Sequence, residues 1–181
     1  MPALPPSRLA LTKEHTMAES FRVRLDKETH VFSAAHFITF NGNICERLHG
    51  HNYGVFAEVT GELDENQYVI DFIALRDKLK KLTDELDHHV ILPANHDAIK
   101  VTQDETEVTV TFEDRRWIFP LEDCVILPVV NTTAEEVARY VGEKLLADLG
   151  EEITSSLTTI EIGIDENNGQ WGIWRKEMKR A

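Results

Sequence analysis

The sequence predicts an α+β protein in which an antiparallel sheet carries two helices. Apolar and polar residues alternate along 51–60 and again along 160–166, the period of half-buried strands. Phe72, Leu75, Leu79, Leu82 and Leu86 recur at three and four residues, and Val137, Val141, Leu145 and Leu149 at four, the stripes of amphipathic helices. The strand patterns flank the helical ones, giving the order ββα…αββ.

Composition bounds the function. A chain of 181 residues with 42% hydrophobic and 28% charged residues forms one domain with a sizeable core. No segment reaches the ~20 apolar residues of a membrane span. A net charge of −13, with no basic run, argues against nucleic-acid partners. Two cysteines, Cys45 and Cys124, without a secretory signal fit a reducing, cytoplasmic setting rather than a disulfide framework.

Residues 1–20 read as a flexible N-terminal arm, because Pro2, Pro5 and Pro6 oppose regular structure and Leu9-Ala10-Leu11 is too short for a secretory core. Met17 is an alternative start. Residues 21–181 then form the folded domain, with an insertion at about 94–130. The first strand starts at Phe21. Its apolar residues occupy odd positions through Leu25 and even positions from Phe32, so a bulge or break is expected across Lys27–His30. Residues 37–48 are a long connection with a turn at Asn41-Gly42-Asn43. The second strand puts His51, Tyr53, Val55, Ala57 and Val59 on one face, with Phe56 an apolar exception on the other.

Asp71 is a good N-cap for the first helix, which ends at Asp87-His88-His89, where histidines suit the helix dipole. Within the insertion, 107–112 and 116–119 suggest an exposed hairpin turning at Glu113–Arg115. Cys124 opens an apolar run and reads as a buried, unreactive thiol. Thr133 and Glu136 form a capping box for the second helix, and Gly150 ends it. Ile160, Ile162, Ile164 and Glu166 share a face of the last long strand. A carboxylate on an apolar face needs a partner, although Asp165–Gly169 also reads as an exposed turn. Gln170–Trp174 returns as the closing strand, followed by a basic tail that is helix-prone or frayed.

His49 and His51, two apart on a strand, present both imidazoles to one face. His36 ends the preceding strand and supplies a third ligand if the two strands pair antiparallel. That set suits a catalytic zinc with an open fourth position. The bland alternative for an H-x-H pair is surface polarity. Cys45 can close the site as a fourth ligand or stand beside it as a thiolate.

Five blocks carry a family resemblance: Ser33-Ala34-Ala35-His36, Cys45-Glu46-Arg47-Leu48-His49-Gly50-His51-Asn52-Tyr53, Leu86-Asp87-His88-His89, Asn131-Thr132-Thr133-Ala134-Glu135, and Ile164-Asp165-Glu166. In that order they resemble the 6-pyruvoyl-tetrahydropterin synthase / 6-carboxytetrahydropterin synthase family, from about Phe21 to Trp174. The resemblance implies the tunnelling fold, an antiparallel four-stranded sheet with two antiparallel helices on one face, assembled as a homohexamer from two trimers. It implies Zn2+ held by His36, His49 and His51, a catalytic Cys45, and a catalytic Asp87–His88 pair contributed by a neighbouring subunit. Glu166 would anchor the pterin, with Thr133 lining the same pocket. Three residues between Cys45 and His49 resemble the bacterial 6-carboxytetrahydropterin synthases of queuosine synthesis. The expected substrate is 7,8-dihydroneopterin triphosphate, yielding the 6-carboxy product, acetaldehyde and triphosphate. The alternatives are 6-pyruvoyltetrahydropterin synthesis and a non-catalytic pterin- or metal-binding oligomer. Arg47 is a candidate cation for the triphosphate.

Overall fold

Strand β1 (Phe21–His36) pairs antiparallel with β4 (His49–Gly61) from Phe21↔Gly61 to His36↔His49. The computed structural model describes residues 19–41 and 44–178. Most of the expected N-terminal arm, the tip of the expected Asn41–Asn43 turn and the last three residues lie outside the described residues. The parity change along β1 is a bulge: the stretch from Asp26 to Val31 faces only Phe56 to Gly54 on β4. This reset turns Phe32, Ala34 and His36 to the face already occupied by Leu25.

Strand β10 (Leu157–Asp165) adds antiparallel to β4, and β11 (Trp171–Glu177) adds to β10, completing four antiparallel strands in the order β11-β10-β4-β1. The last strand runs three residues past Trp174. Arg175, Lys176 and Glu177, expected in a frayed or helical tail, pair with Glu161, Ile160 and Thr159. Beyond β1 the sheet continues through β5 (His89–Pro93) and β9 (Cys124–Leu127), both parallel to their neighbours. Neither was expected. Their apolar runs do not alternate, as befits strands of a parallel pair.

Helix α1 (Phe72–Leu86) starts where Asp71 Oδ1 accepts the Ile73 N–H at 2.8 Å. Leu75, Leu79, Leu82 and Leu86 are buried, whereas Phe72, counted in the same stripe, is 54% exposed. Helix α2 (Ala134–Thr154) is capped by the Thr133 hydroxyl, which accepts the Glu136 N–H at 3.4 Å. Gly150 does not end it. At φ 79° the glycine breaks the helix, and one more turn follows to Thr154.

Both helices cover the sheet face of Tyr53, Val55, Ala57, Val59, Ile160, Ile162 and Ile164. On the other face Phe56 is also buried. It lies over Gly163, where a Cβ would stand 2.0 Å from the ring, with Trp171 at 5.2 Å and the Arg24 guanidinium 3.8 Å above.

The insertion is a separate three-stranded antiparallel sheet of β6 (Lys100–Gln103), β7 (Glu107–Phe112) and β8 (Arg115–Pro120). The expected hairpin forms, with Glu113 at φ 50° in its turn and Arg115 already in the strand. Its exposure is the correction. Val108, Val110 and Phe112 are buried in a second core with Phe37, Cys45, Leu92 and Ile99. The connection 37–48 likewise contains a small ladder, β2 (Thr39–Phe40) with β3 (Ile44–Cys45). Cys124 is only half-buried at the edge of the second core, where burial and the adjacent Asp123 push its thiol up to about 11. No helix among the described residues is long and apolar enough to cross a membrane.

Candidate functional site

The last residue of β1, His36, pairs directly with the first of β4, His49; two steps along, His51 faces Ala34. The strand period therefore turns all three imidazoles to the helix-covered face. Their ligand atoms lie within 4.8 Å of one another. Gly50 lets the strands close between the histidines, because a Cβ there would stand 3.0 Å from the Ala34 carbonyl oxygen.

Backbone carbonyls set two of the three tautomers. His36 Nδ1 lies 2.8 Å from the Thr132 carbonyl oxygen, and His49 Nδ1 lies 2.8 Å from that of Arg47. A carbonyl only accepts, so each ring carries its proton on Nδ1 and leaves a lone pair on Nε2. His36 Nε2 is buried without a hydrogen-bond partner. Burial, reinforced by the neighbouring His49 and His51, pushes His36 down to about 4 against the opposing Thr132 carbonyl, so the ring is neutral at physiological pH. A buried neutral imidazole with an orphaned lone pair, oriented by a carbonyl behind it, is what a metal ligand requires. The residues fit a divalent metal of zinc's type.

Glu166 follows β10 by one residue. The Asp165 carboxylate accepts the N–H groups of Asn167, Gly169 and Gln170, and the turn so built carries Glu166 back over the site. Its Oε1 stands 3.3 Å from His36 Nε2 and 3.9 Å from His51 Nε2. The carboxylate continuing the Ile160–Ile164 face thus meets the imidazoles rather than an Arg or Lys. Glu166 and Thr133 line one cleft of about 390 Å³ with Ile38, Gln170 and Trp171.

Cys45 is placed differently. The residue is 9% exposed and packs in the second core, its thiol donating to the Glu46 carbonyl at 3.5 Å; it is outside the histidine group. Burial pushes this thiol up, partly offset by the Arg115 guanidinium. The next residue faces the other way. The Glu46 carboxylate lies 3.9 Å from His49 Nε2. Sequence reading passed over Glu46, which follows the two-residue β3.

Asp87 and His88 lie apart from the histidines. Asp87 accepts the Ser33 N–H at 2.7 Å and pairs with His88 Nδ1 at 2.8 Å. The Ser33 bond, with His88 beside it, holds the Asp87 carboxyl below the usual carboxylate range. The His88 side chain is 82% exposed and borders an open depression of about 530 Å³ with Ser33, Ala35, Gly50 and Asn52. Those four side chains alternate with the ligand positions and so face away from the imidazoles, although Ala34 and His51 also border the depression. Thr132 and the Arg47 carbonyl also escaped sequence reading, because no side-chain pattern marks a carbonyl acceptor. The Arg47 side chain is exposed and enters no ion pair among the described residues.

Residues 24–177 match the family model of 6-pyruvoyl tetrahydropterin synthase. The chain is similar to a putative 6-carboxy-5,6,7,8-tetrahydropterin synthase of Methanocaldococcus jannaschii, at 34% identity over 149 residues that span 82% of this chain and 91% of the relative. A 6-carboxy-5,6,7,8-tetrahydropterin synthase of Haemophilus influenzae matches at 28% identity over 65% of this chain and 78% of its own. Among solved structures, the 6-pyruvoyl tetrahydropterin synthase of Plasmodium falciparum superposes with a TM-score of 0.83 at 34% identity, over 89% of this chain and 100% of that one. The Plasmodium vivax enzyme, solved as an alanine mutant of a catalytic glutamate, gives 0.82 at 30% identity over the same shares.

Proposed function

The chain belongs to the 6-pyruvoyl tetrahydropterin synthase family, and on that premise we propose that it converts 7,8-dihydroneopterin triphosphate and water to 6-carboxy-5,6,7,8-tetrahydropterin, acetaldehyde and triphosphate. The observation that carries the proposal is the convergence of His36, His49 and His51 beside the Glu166–Thr133 cleft. These histidines would hold Zn2+, which when bound supplies Lewis-acid polarisation of the substrate's side-chain hydroxyls.

Glu166 accepts the paired donors of the pterin, its 2-amino group and N3–H, on one carboxylate. Thr133 and Trp171 line the cleft that receives the ring. Cys45 was expected to move protons at the substrate side chain, but its thiol packs in the second core, so it would have to turn toward the histidines to do so; Asp87–His88 of a neighbouring subunit is the second acid–base group. The exposure of His88, whose ring joins none of its own chain's histidine group, supports that sharing, in a homohexamer of two trimers. Two electrons pass from side chain to ring as the triphosphate leaves, and water then cleaves the resulting diketone between C1′ and C2′. Names of curated relatives and the three-residue spacing from Cys45 to His49 favour the 6-carboxy product, a queuosine precursor made in the cytoplasm.

A second reading stops at the diketone, 6-pyruvoyltetrahydropterin, the product for which the Plasmodium enzymes are named. In either reaction Glu46 shares or takes over the proton transfer. It faces His49 while the Cys45 thiol is buried, and a catalytic glutamate is described for the P. vivax relative.

Zinc-loaded protein incubated with 7,8-dihydroneopterin triphosphate, with products identified by mass spectrometry, tests the proposal. The 6-carboxy product with acetaldehyde is expected. Its loss in Cys45→Ala, in Glu46→Gln or in both assigns the proton transfer, by at least about 100-fold for the residue that carries it. Mixed, co-refolded His49→Ala and His88→Ala chains should regain turnover. A 6-pyruvoyl product changes the reaction but keeps the site, and no pterin turnover by the metal-loaded oligomer contradicts the reading.

A further inference from the structure

We propose that Arg115, delivered by the insertion, is a positioning residue of the active site: it fixes the Cys45–Glu46 backbone so that Glu46 faces the histidines. The inference rests on the site assignment above and gives the insertion a role in it. One guanidinium N–H group donates to the Cys45 carbonyl at 2.8 Å and another to the Glu46 carbonyl at 3.2 Å. Two successive carbonyls on one planar fork set the orientation of the peptide between them, which a single-point donor cannot do.

The segment needs such a fixture. β3 is two residues long and meets β2 through only two pairs, Thr39↔Cys45 and Phe40↔Ile44, too little to hold a ladder by itself. On its far side the Glu46 N–H donates to the Ile38 carbonyl at 2.9 Å, so Glu46 is held on both backbone polar groups. The insertion grips neighbouring points as well. Trp117 stacks on Phe37, the residue after His36, with centroids 4.7 Å apart and planes 19° apart. His96 Nδ1 accepts the N–H groups of Ala98 and Ile99, leaving its Nε2–H to donate to the Thr39 hydroxyl at 2.7 Å.

Arg115 itself is partly buried, flanked by the Phe112 and Trp117 rings at 5.3 Å, and paired with no carboxylate among the described residues. Its fork is therefore committed to the two carbonyls. The Cys45 side chain then points into the second core and the Glu46 side chain toward His49. The same contact places a positive charge beside the Cys45 thiol, opposing the effect of its burial.

The test compares full-length, zinc-loaded Arg115→Gln and Arg115→Lys with the parent protein by amide hydrogen exchange, steady-state kinetics and melting temperature. In Arg115→Gln, exchange of the peptide covering 44–48 rises by on the order of tenfold while β4 and α2 stay protected. kcat falls by on the order of tenfold or more with KM within about threefold, and Lys recovers part of both effects. Unchanged exchange and kcat in Arg115→Gln would overturn the assignment. So would a loss of activity that merely follows lost zinc or a lower melting temperature. If the parent protein turns over no pterin, the reaction assignment fails, while exchange at 44–48 and its recovery by Lys still decide whether Arg115 sets this backbone.

Discussion

Two buried histidines show how residue environment separates a ligand from a packing group. His36 donates Nδ1–H to the Thr132 carbonyl and keeps an unpartnered Nε2 that points at His51 and Glu166. His30, in the β1 bulge, is equally buried but belongs to no group of potential metal ligands among the described residues. Burial lowers its pKa below 6.5, helped by the charges of Lys27, Lys80 and Arg76 and opposed by a hydrogen bond with the Arg76 backbone. The unfolded chain therefore binds the His30 proton more readily than the folded one. Stability is unaffected above pH 6.5 and falls as pH drops below it. Replacing His30 with Leu should flatten the pH dependence of the melting temperature between pH 6.5 and 5. An unaltered slope would mean that His30 titrates alike in both states.

The three histidine positions were legible because strand period two fixes their side once β1 and β4 pair. Glu166 was legible as a carboxylate needing a partner. Glu46 and Arg115 were not, since their roles depend on which way a two-residue strand faces and on a contact about seventy residues away in sequence.

Among elements, the helices were read almost completely and the sheet only in part. α1 and α2 follow their periodicity because each buries one stripe against a single sheet face. Leu79 is fully buried, so Leu79→Ala should cost about 2–5 kcal/mol by denaturant unfolding. Ile73, 59% exposed on the same helix, should cost within about 0.5 kcal/mol when changed to Ala. Equal effects at the two positions would contradict the orientation of α1. Strands β5 and β9 escaped because parallel strands lack alternation, and a run of four or five apolar residues does not distinguish strand from helix. The insertion misled differently. Its alternation was seen and assigned to an exposed hairpin, but the partner for Val108, Val110 and Phe112 is a core built from Phe37, Leu92 and Ile99 of other segments. Local pattern shows that a face is apolar without showing what covers it.

At the scale of the molecule, the sheet gathers pieces distant in sequence around one end. β1 and β4 bring the imidazoles, the β10–β11 turn brings Glu166, the α2 start brings Thr133, and the insertion braces the segment carrying Cys45 and Glu46. The Asp87–His88 pair is exposed and lies outside the histidine group, so in the proposed reaction it would serve a second copy of the chain. A net charge of −13 repels a polyphosphate at long range, so the proposed substrate would need local cations such as Arg47 to offset the field. In the proposed reaction the three histidines hold the metal on which turnover depends. The decisive measurement is the turnover of 7,8-dihydroneopterin triphosphate by chelator-stripped protein during titration with zinc, alongside His49→Ala. Activity should rise and saturate at about one zinc per chain in the parent protein and stay absent in the variant. Activity that persists without zinc, or that zinc restores equally in His49→Ala, would remove the histidines from that role.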